Sequence, residues 1–157
     1  MGMSAVDVRQ ATVKDLEILV PLFDGYRQFY RQASEPGRVR EFLRDRFANK
    51  ESVIFLALLD TSVVGFAQLY PSFSSAAMAR IFILNDLFVT KEARRCGAGS
   101  ALLRAAAEYC ERAGAIRLVL STERSNATAQ SLYERTGWKR DSEFYVYQLA
   151  LPVAQTG

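Results

Sequence analysis

The sequence predicts a single α/β domain over residues 1–157, with a mixed central sheet of about six to seven strands and helices on both faces. Three observations carry that expectation. Strand-like and helix-like segments follow one another in the order β-α-α-β-β-β-α-β-α-β-β. Arg80 to Val89 is a run apolar on both faces, as a strand is when both sides of its sheet are covered. That run empties into Arg94-Arg95-Cys96-Gly97-Ala98-Gly99-Ser100, a basic, glycine-rich turn opening an amphipathic helix. The composition, 50% apolar and 24% charged, is that of an ordinary globular chain long enough to build a core.

Taken in order, Val6 to Arg9 reads as the first strand. Thr12-Val13-Lys14-Asp15 has the form of a capping box, and Leu16, Leu19, Phe23 and Tyr26 follow at helical spacing. A helix is therefore expected to about Tyr30, kinked at Pro21. Ser34-Glu35-Pro36-Gly37 breaks the chain before a second amphipathic helix carrying Val39, Phe42, Leu43 and Phe47. Val53–Leu59 and Val63–Tyr70 are β-rich runs joined by Asp60-Thr61-Ser62, a hairpin signal, and Pro71–Ala79 reads as a loop. After the glycine turn, Leu102, Leu103, Ala106, Cys110 and Ala113 share one helix face, and Gly114 supplies a stop. Ile116–Ser121 reads as a buried strand, Ala127–Thr136 as a helix ending at Gly137, and Trp138–Leu151 as a final strand region.

Several function classes are set aside by what the chain lacks. No apolar run approaches the ~20 residues of a membrane span and no signal-peptide pattern opens the chain, so a cytoplasmic protein without membrane partners is expected. Met1-Gly2-Met3-Ser4 looks superficially like a myristoylation start, but Val6 stands where Ser or Thr is needed, and a vector-derived remnant is the plainer reading. Cys96 and Cys110 fall near or within one helix, on the order of 20 Å apart at 1.5 Å per residue, and read as free thiols. There is no histidine, which removes Ser-His and Cys-His nucleophile pairs and the commonest zinc ligands; no metal is expected. The net charge of +3 is spread along the chain, without the concentrated basic stripe of a nucleic-acid binder.

The chemistry-bearing residues fall in three groups. In the turn, glycines let the backbone approach an anion, and the free N–H groups of the first helical turn point at it, which suits a phosphorylated cofactor. Asn85-Asp86 is a polar pair inside an apolar strand, costly unless hydrogen-bonded, and alternation is expected to send the two side chains to opposite faces. A functional carboxylate and a local distortion satisfied by backbone or water are the two explanations. Asn126, Ala129 and Leu132-Tyr133 share one face of the later helix, where Tyr133 is either a proton donor or a packed ring with its hydroxyl tied to backbone. A dinucleotide fingerprint is the rival for the turn; it lacks the third small residue, at Leu102, and comes after half the chain has passed.

Together these residues resemble the GNAT superfamily of acetyl-CoA-dependent N-acetyltransferases. Arg94, Gly97 and Gly99 match its Arg/Gln-x-x-Gly-x-Gly/Ala signature. Asn126-x-x-Ala129-x-x-Leu132-Tyr133-x-x-x-Gly137-Trp138 matches its second motif, and Leu84 to Val89 resembles the strand before the signature. The resemblance covers essentially the whole chain. Within the superfamily, Asn85-Asp86-Leu87-Phe88-Val89, Glu123-Arg124-Ser125-Asn126 and Phe144-Tyr145-Val146-Tyr147 look most similar to the branch of small histone and polyamine acetyltransferases. Diamine acetyltransferases typically carry Glu-Asp where this chain has Asn85-Asp86, which removes the carboxylate usually offered as their base.

The resemblance implies acetyl-CoA as cofactor and CoA as product. Its pyrophosphate is expected on the backbone of Arg95, Cys96, Gly97, Ala98, Gly99 and Ser100, with Arg94 or Arg95 adding charge. Its pantetheine arm is expected along Leu87, Phe88 and Val89, with the thioester beside Asp86, Asn126 and Tyr133. A neutral amine would attack directly, Tyr133 protonating the leaving thiolate and Asp86 taking the amine proton. The acceptor, a small-molecule or peptide amine, is expected near Tyr26, Tyr30, Glu35, Asn85, Tyr145 and Tyr147, although the tyrosines equally suit packing or a dimer surface. A homodimer is implied as well. The rival functions are a protein or histone lysine acetyltransferase, a CoA-binding regulatory module without turnover and, most remotely, a nucleotide-binding oxidoreductase.

Overall fold

The computed structural model describes residues 5–153; the Met1-Gly2-Met3-Ser4 start lies outside the described residues. The elements run β1 (Val6–Gln10), α1 (Leu16–Phe29), α2 (Pro36–Ala48), β2 (Val53–Leu59), β3 (Ser62–Ser74), β4 (Ala79–Val89), α3 (Ala98–Arg112), β5 (Leu118–Val119) and α4 (Ala127–Arg135). The strands form one sheet in the order β1-β2-β3-β4-β5, antiparallel except for the parallel β4–β5 pair.

The fold class matches the expectation from sequence, with five strands among the described residues instead of six or seven. The difference lies at the C-terminus. Lys139 to Val153 runs exposed and forms no strand, because among the described residues no neighbouring strand completes its hydrogen bonds. The stretch from Ile116 to Ser121 shrinks to a two-residue strand for a related reason: it touches only β4, through Phe82–Leu118 and Ile83–Val119. Pro71–Ala79, expected as a loop, instead continues the β3–β4 hairpin to Ser74–Ala79. Beyond Leu69, β3 has no β2 partner and is an edge, where Pro71 is tolerated.

Each sheet face carries its own core. On one side α1 and α2 pack Leu19, Phe23, Val39 and Leu43 onto Ile54, Leu56 and Phe66. On the other, α3 packs Leu102, Leu103, Ala106 and Cys110 onto Phe55, Ala67, Leu69, Phe82 and Leu84, while Ala113 is exposed. Each fully buried leucine, isoleucine, valine or phenylalanine here stabilises the fold by roughly 1.5–3 kcal/mol.

The helix ends follow the local sequence. Thr12 caps the 3-10 turn at Val13–Asp15: its N–H donates to Asp15 Oδ2 (2.9 Å), and Arg9 holds both Asp15 oxygens at 2.8 Å. Pro21 lies inside α1, where its missing N–H leaves the Glu17 carbonyl without a helical partner. Between α1 and α2, buried Asp24 accepts from Ser34 Oγ (2.6 Å), the Glu35 N–H (2.8 Å) and Gln28 Nε2 (3.0 Å). That carboxylate clips the turn to the end of α1.

Candidate active site

The site begins with a break in a strand. On the β3–β4 ladder Gln68 faces Asp86 and Leu69 faces Leu84, so Asn85 is an extra residue opposite no partner, a β-bulge. The bulge switches the parity of β4. Before it, Phe82 and Leu84 point to the α3 side; after it, Leu87 and Val89 do, leaving Phe88 on the α1 side. The simple alternation expected for Asn85 and Asp86 is thereby corrected. Asn85 is exposed, but its Nδ2 reaches back to Asp86 Oδ1 at 3.0 Å, while Asp86 is buried at 3% exposure.

Asp86 is held from β3 and from its own strand. Gln68 Nε2 on β3 donates to Oδ2 at 2.6 Å and Asn85 Nδ2 to Oδ1 at 3.0 Å. The Tyr26 hydroxyl on α1 donates to the bulge carbonyl, Asn85 O, at 3.4 Å. Among the described residues no Lys or Arg forms an ion pair with Asp86. Burial pushes its carboxyl above the ordinary carboxylate range, against the opposing pull of Gln68, Tyr26 and Asn85. The surrounding phenols respond. Burial and then the Asp86 charge push Tyr26 far up, and the same two causes push Tyr70 up to about 12, with Arg46 opposing. Tyr30 is raised by burial, then by Glu123 and Asp86.

Beyond the bulge, β4 and β5 part. Their pairing stops at Ile83–Val119, so the outer edge of β4 from Asn85 to Val89 has no strand beside it. That edge leads through the 3-10 turn at Lys91–Ala93 into the glycine turn. Gly97 caps α3 in the left-handed region (φ 89°), which favours glycine, and Arg95 shares that conformation (φ 69°). The first bond of the helix runs from the Ala101 N–H to the Gly97 carbonyl, leaving the Ala98, Gly99 and Ser100 N–H groups without a helical acceptor. Gly99 answers to packing: a Cβ there would sit 3.2 Å from Leu132 Cδ2 of α4. Arg94 braces the turn, its Nε donating to the Val89 carbonyl at 3.3 Å and its guanidinium 5.5 Å from the Phe29 ring.

Across the opening stands α4. Asn126 caps it, Oδ1 accepting from the Ala129 N–H at 3.1 Å, so this oxygen is committed to the helix. At the other end Gly137 (φ 99°) forms a Schellman turn: Gly137 N–H donates to Glu134 O (3.3 Å) and Trp138 N–H to Tyr133 O (3.0 Å). The accompanying apolar contact is Tyr133 against Trp138, ring centroids 6.0 Å apart. Tyr133 is half-buried, and burial, then the nearby Tyr30, raises its phenol, which keeps it protonated through neutral pH. Arg31 at the end of α1 reaches Glu123 at 3.4 Å, joining the two sides of the opening.

A buried carboxylate, a ring of protonated tyrosines and a helix N-terminus thus converge where two parallel strands separate. Residues 19–138 match the Acetyltransferase (GNAT) family. The chain belongs to the GNAT acetyltransferase family. It is 48% identical over 147 residues to the uncharacterized N-acetyltransferase YhfO of Bacillus subtilis, covering 94% of this chain and 99% of that one. It is 32% identical over 138 residues to a probable acetyltransferase of Haemophilus influenzae, covering 87% and 92%. The crystal structure of a probable acetyltransferase superimposes with a TM-score of 0.89 at 43% identity, covering 94% of this chain and 99% of that one. As a GNAT protein the chain is an enzyme of the N-acetyltransferase type.

Within this GNAT fold, Tyr26, Tyr30, Asn85, Asp86 and Tyr133 lie near one another, and Leu87 to Ser100 follow on along the free edge of β4 into the glycine turn. Glu35 does not offer the free carboxylate expected of it. Arg38 (2.8 Å) and Arg27 (3.1 Å) take it, and hydrogen bonds from Arg38 and then Arg27 hold its carboxyl below the usual range. Tyr145 and Tyr147 are 89% and 90% exposed on the C-terminal segment, which joins no strand pairing among the described residues, so neither ring forms an enclosed wall. Cys96 is a half-buried free thiol before α3, not within it. Two residues escaped the sequence reading: Gln68, fully buried, and Tyr70. A glutamine inside the apolar run Val63–Tyr70 was the available signal for the first.

Proposed function

We propose that this enzyme transfers an acetyl group from acetyl-CoA to a primary amine that arrives as a cation. The observation that carries the reading is Asp86: a buried carboxylate that forms no ion pair among the described residues and is ringed by tyrosines. Such a group favours a cationic partner, and aromatic faces add cation–π attraction worth roughly 0.5–2 kcal/mol. A small-molecule amine fits the ringed site best; a lysine side chain on a peptide is the other acceptor of the same chemistry.

The residues present suit acetyl-CoA. The left-handed Gly97 and the free N–H groups of Ala98, Gly99 and Ser100 form an anion cradle for its pyrophosphate, with Arg95 and Arg94 adding positive charge. The unpaired edge at Leu87, Phe88 and Val89 offers backbone groups for the pantetheine amides. Asn126, whose Oδ1 is engaged in the cap, retains its Nδ2 as a donor. When bound, acetyl-CoA supplies an activated acetyl thioester whose C–S bond breaks as the amine N–C bond forms. Asp86 takes the proton from the amine, directly or through a water, and Tyr133 gives its phenolic proton to the departing sulfur. A free N–H of the β4 edge polarises the carbonyl oxygen.

The exposed apolar row Phe144, Tyr145, Val146, Tyr147, Leu149 and Leu151 supports a homodimer, with a second copy covering the segment. A cytoplasmic enzyme completes the reading. The test is calorimetric titration with acetyl-CoA, then a screen of amines for CoA release. Micromolar binding, lost when Gly97 and Gly99 are replaced by bulky residues, supports the cradle. A folded protein that binds no acetyl-CoA would overturn the function.

A further inference from the structure

Gln68 stands out among the residues that the acetyl-transfer reading leaves without a role. It is 0% exposed at the centre of β3 and faces Asp86 across the ladder on the far side of the bulge. One end of its amide is committed, Nε2 donating to Asp86 Oδ2 at 2.6 Å. The other end is not: Oε1 is buried and has no hydrogen-bond partner among the described residues. A buried acceptor without a donor is rare in a folded protein and calls for a reason.

The chemistry of the pair supplies one. A carboxylate needs donors, whereas a carboxylic acid also needs somewhere to put its own O–H. A primary amide carries a donor and an acceptor on two atoms of nearly the same size and shape. Rotation by 180° about the amide axis exchanges them without changing the packing. Asn85 carries an amide as well, but it is exposed and its oxygen is open to solvent, whereas the Gln68 oxygen is buried beside the carboxyl with nothing else to accept from.

We propose that Gln68 is a positioning residue that lets Asp86 hold or release a proton in place. It presents Nε2–H to the carboxylate and, turned over, presents Oε1 to the O–H of the carboxylic acid. During turnover the proton leaves the acceptor nitrogen for an Asp86 oxygen, the Gln68 amide turns, and the new O–H donates to Oε1. No bond other than N–H and O–H changes and no other reactant is consumed. This deepens the reading of Asp86 as the proton acceptor and rests on it. The groups that face the pair are Tyr26 from α1, Tyr30 at its C-terminal cap and Tyr70 from β3. Arg46 of α2 lies behind Tyr70, with Glu123 and Tyr133 beyond Tyr30. All the tyrosines named are raised and hold their protons across the range in which a carboxyl titrates.

The test is a carboxyl-carbon NMR titration of the intact chain carrying 13C-aspartate, with the Asp86 signal assigned by its loss in Asp86→Asn. Gln68→Met keeps the volume and removes both hydrogen-bonding atoms. The variant loses the charge-assisted bond to the carboxylate and the weaker bond to the carboxylic acid, so the expected result is an Asp86 midpoint about one pH unit higher, a tenfold gain in proton affinity. The acid limb of the kcat/KM profile should move by the same amount. In an Asp86→Asn background, Gln68→Met should cost no further activity, because Gln68 acts only through Asp86. An unchanged midpoint, or equal losses in both backgrounds, would overturn the proposal. Should the methionine variant melt out, Gln68→Asn, one methylene too short to reach, gives the same comparison. The titration needs no acetyl transfer, so a protein that transfers nothing would refute the function while leaving the role of Gln68 decided.

Discussion

Gly65 lies so close to Phe88 that a Cβ on it would stand 2.6 Å from the Phe88 carbonyl oxygen. The same atom would sit 3.3 Å from the Val89 Cα. β3 and β4 therefore touch backbone to backbone where β4 exposes its free edge. Gly65→Ala is expected to displace that edge, costing about 1–3 kcal/mol of stability and weakening acetyl-CoA binding. Denaturant melts and calorimetry read the two effects separately. A loss of stability with intact affinity would show that the edge does not seat the cofactor.

Asp86→Asn separates the working of the site from its cost. The Asp86 carboxyl is raised in the folded chain by burial, so its contribution to stability is present below the ordinary carboxylate midpoint and is lost as pH rises through the folded one. The asparagine variant is therefore expected to melt above the parent at neutral pH, with the gap closing in acid. Acetyl transfer should fall by about 10²–10⁴-fold. Thermal melts between acid and neutral pH, alongside CoA release, check both directions.

Tyr133→Phe removes a hydroxyl and keeps a ring. The contact with Trp138 survives, so the melting temperature should stay within about a degree or two, a change of under 0.5 kcal/mol. The turnover number should drop by about 10²-fold with acetyl-CoA affinity unchanged. Unchanged turnover would remove Tyr133 as the proton donor.

Asp24 works in the opposite sense. Its carboxyl is lowered by the bond from Ser34 first, with the Glu35 N–H, Gln28 and Arg27 adding to it. Its stabilisation is fully present above the ordinary carboxylate midpoint and fades as pH falls through the lowered one. Asp24→Ala is expected to cost about 2–3 kcal/mol at neutral pH, with variant and parent converging in strong acid. Equal spacing of the two melting curves at all pH values would contradict this.

The C-terminal segment gives the last test. Tyr145 and Tyr147 are exposed at 89% and 90% on a segment that pairs with no strand among the described residues. If a second copy covers them, Tyr145→Ser with Tyr147→Ser should halve the mass measured by light scattering at micromolar concentration. Parent and variant of equal mass would exclude this segment as the dimer contact.

Much of this was legible in the sequence. The element order through α4 follows from periodicity, from the Thr12 box and from Gly114 and Gly137 as stops, because these signals are local. The glycine turn is legible for the same reason: Gly97 and Gly99 act through backbone conformation and one neighbour. The Asp86 cluster was only half legible. Asn85-Asp86 stood out as a polar pair, but the bulge that aims them depends on which β3 residue faces which on β4, a long-range fact. Gln68 and Tyr70 enter through that register. Glu35 was misread because its partners Arg27 and Arg38 meet it only after α1 and α2 pack. The final strand was misread because alternation reports the capacity to pair, and pairing needs a neighbour.

The bulge at Asn85 makes chain length, and not only side-chain identity, a determinant of the site. Removing that one residue would leave Gln68–Asp86 and Leu69–Leu84 as consecutive rungs of an unbroken ladder, with every apolar residue of β4 still facing the core it faces now. Such a chain should fold into a more regular sheet. It would lose the amide that holds Asp86 Oδ1 and the carbonyl beside the Tyr26 hydroxyl. A gain or loss of function in related chains can therefore turn on a one-residue insertion that any comparison of residue types alone would pass over.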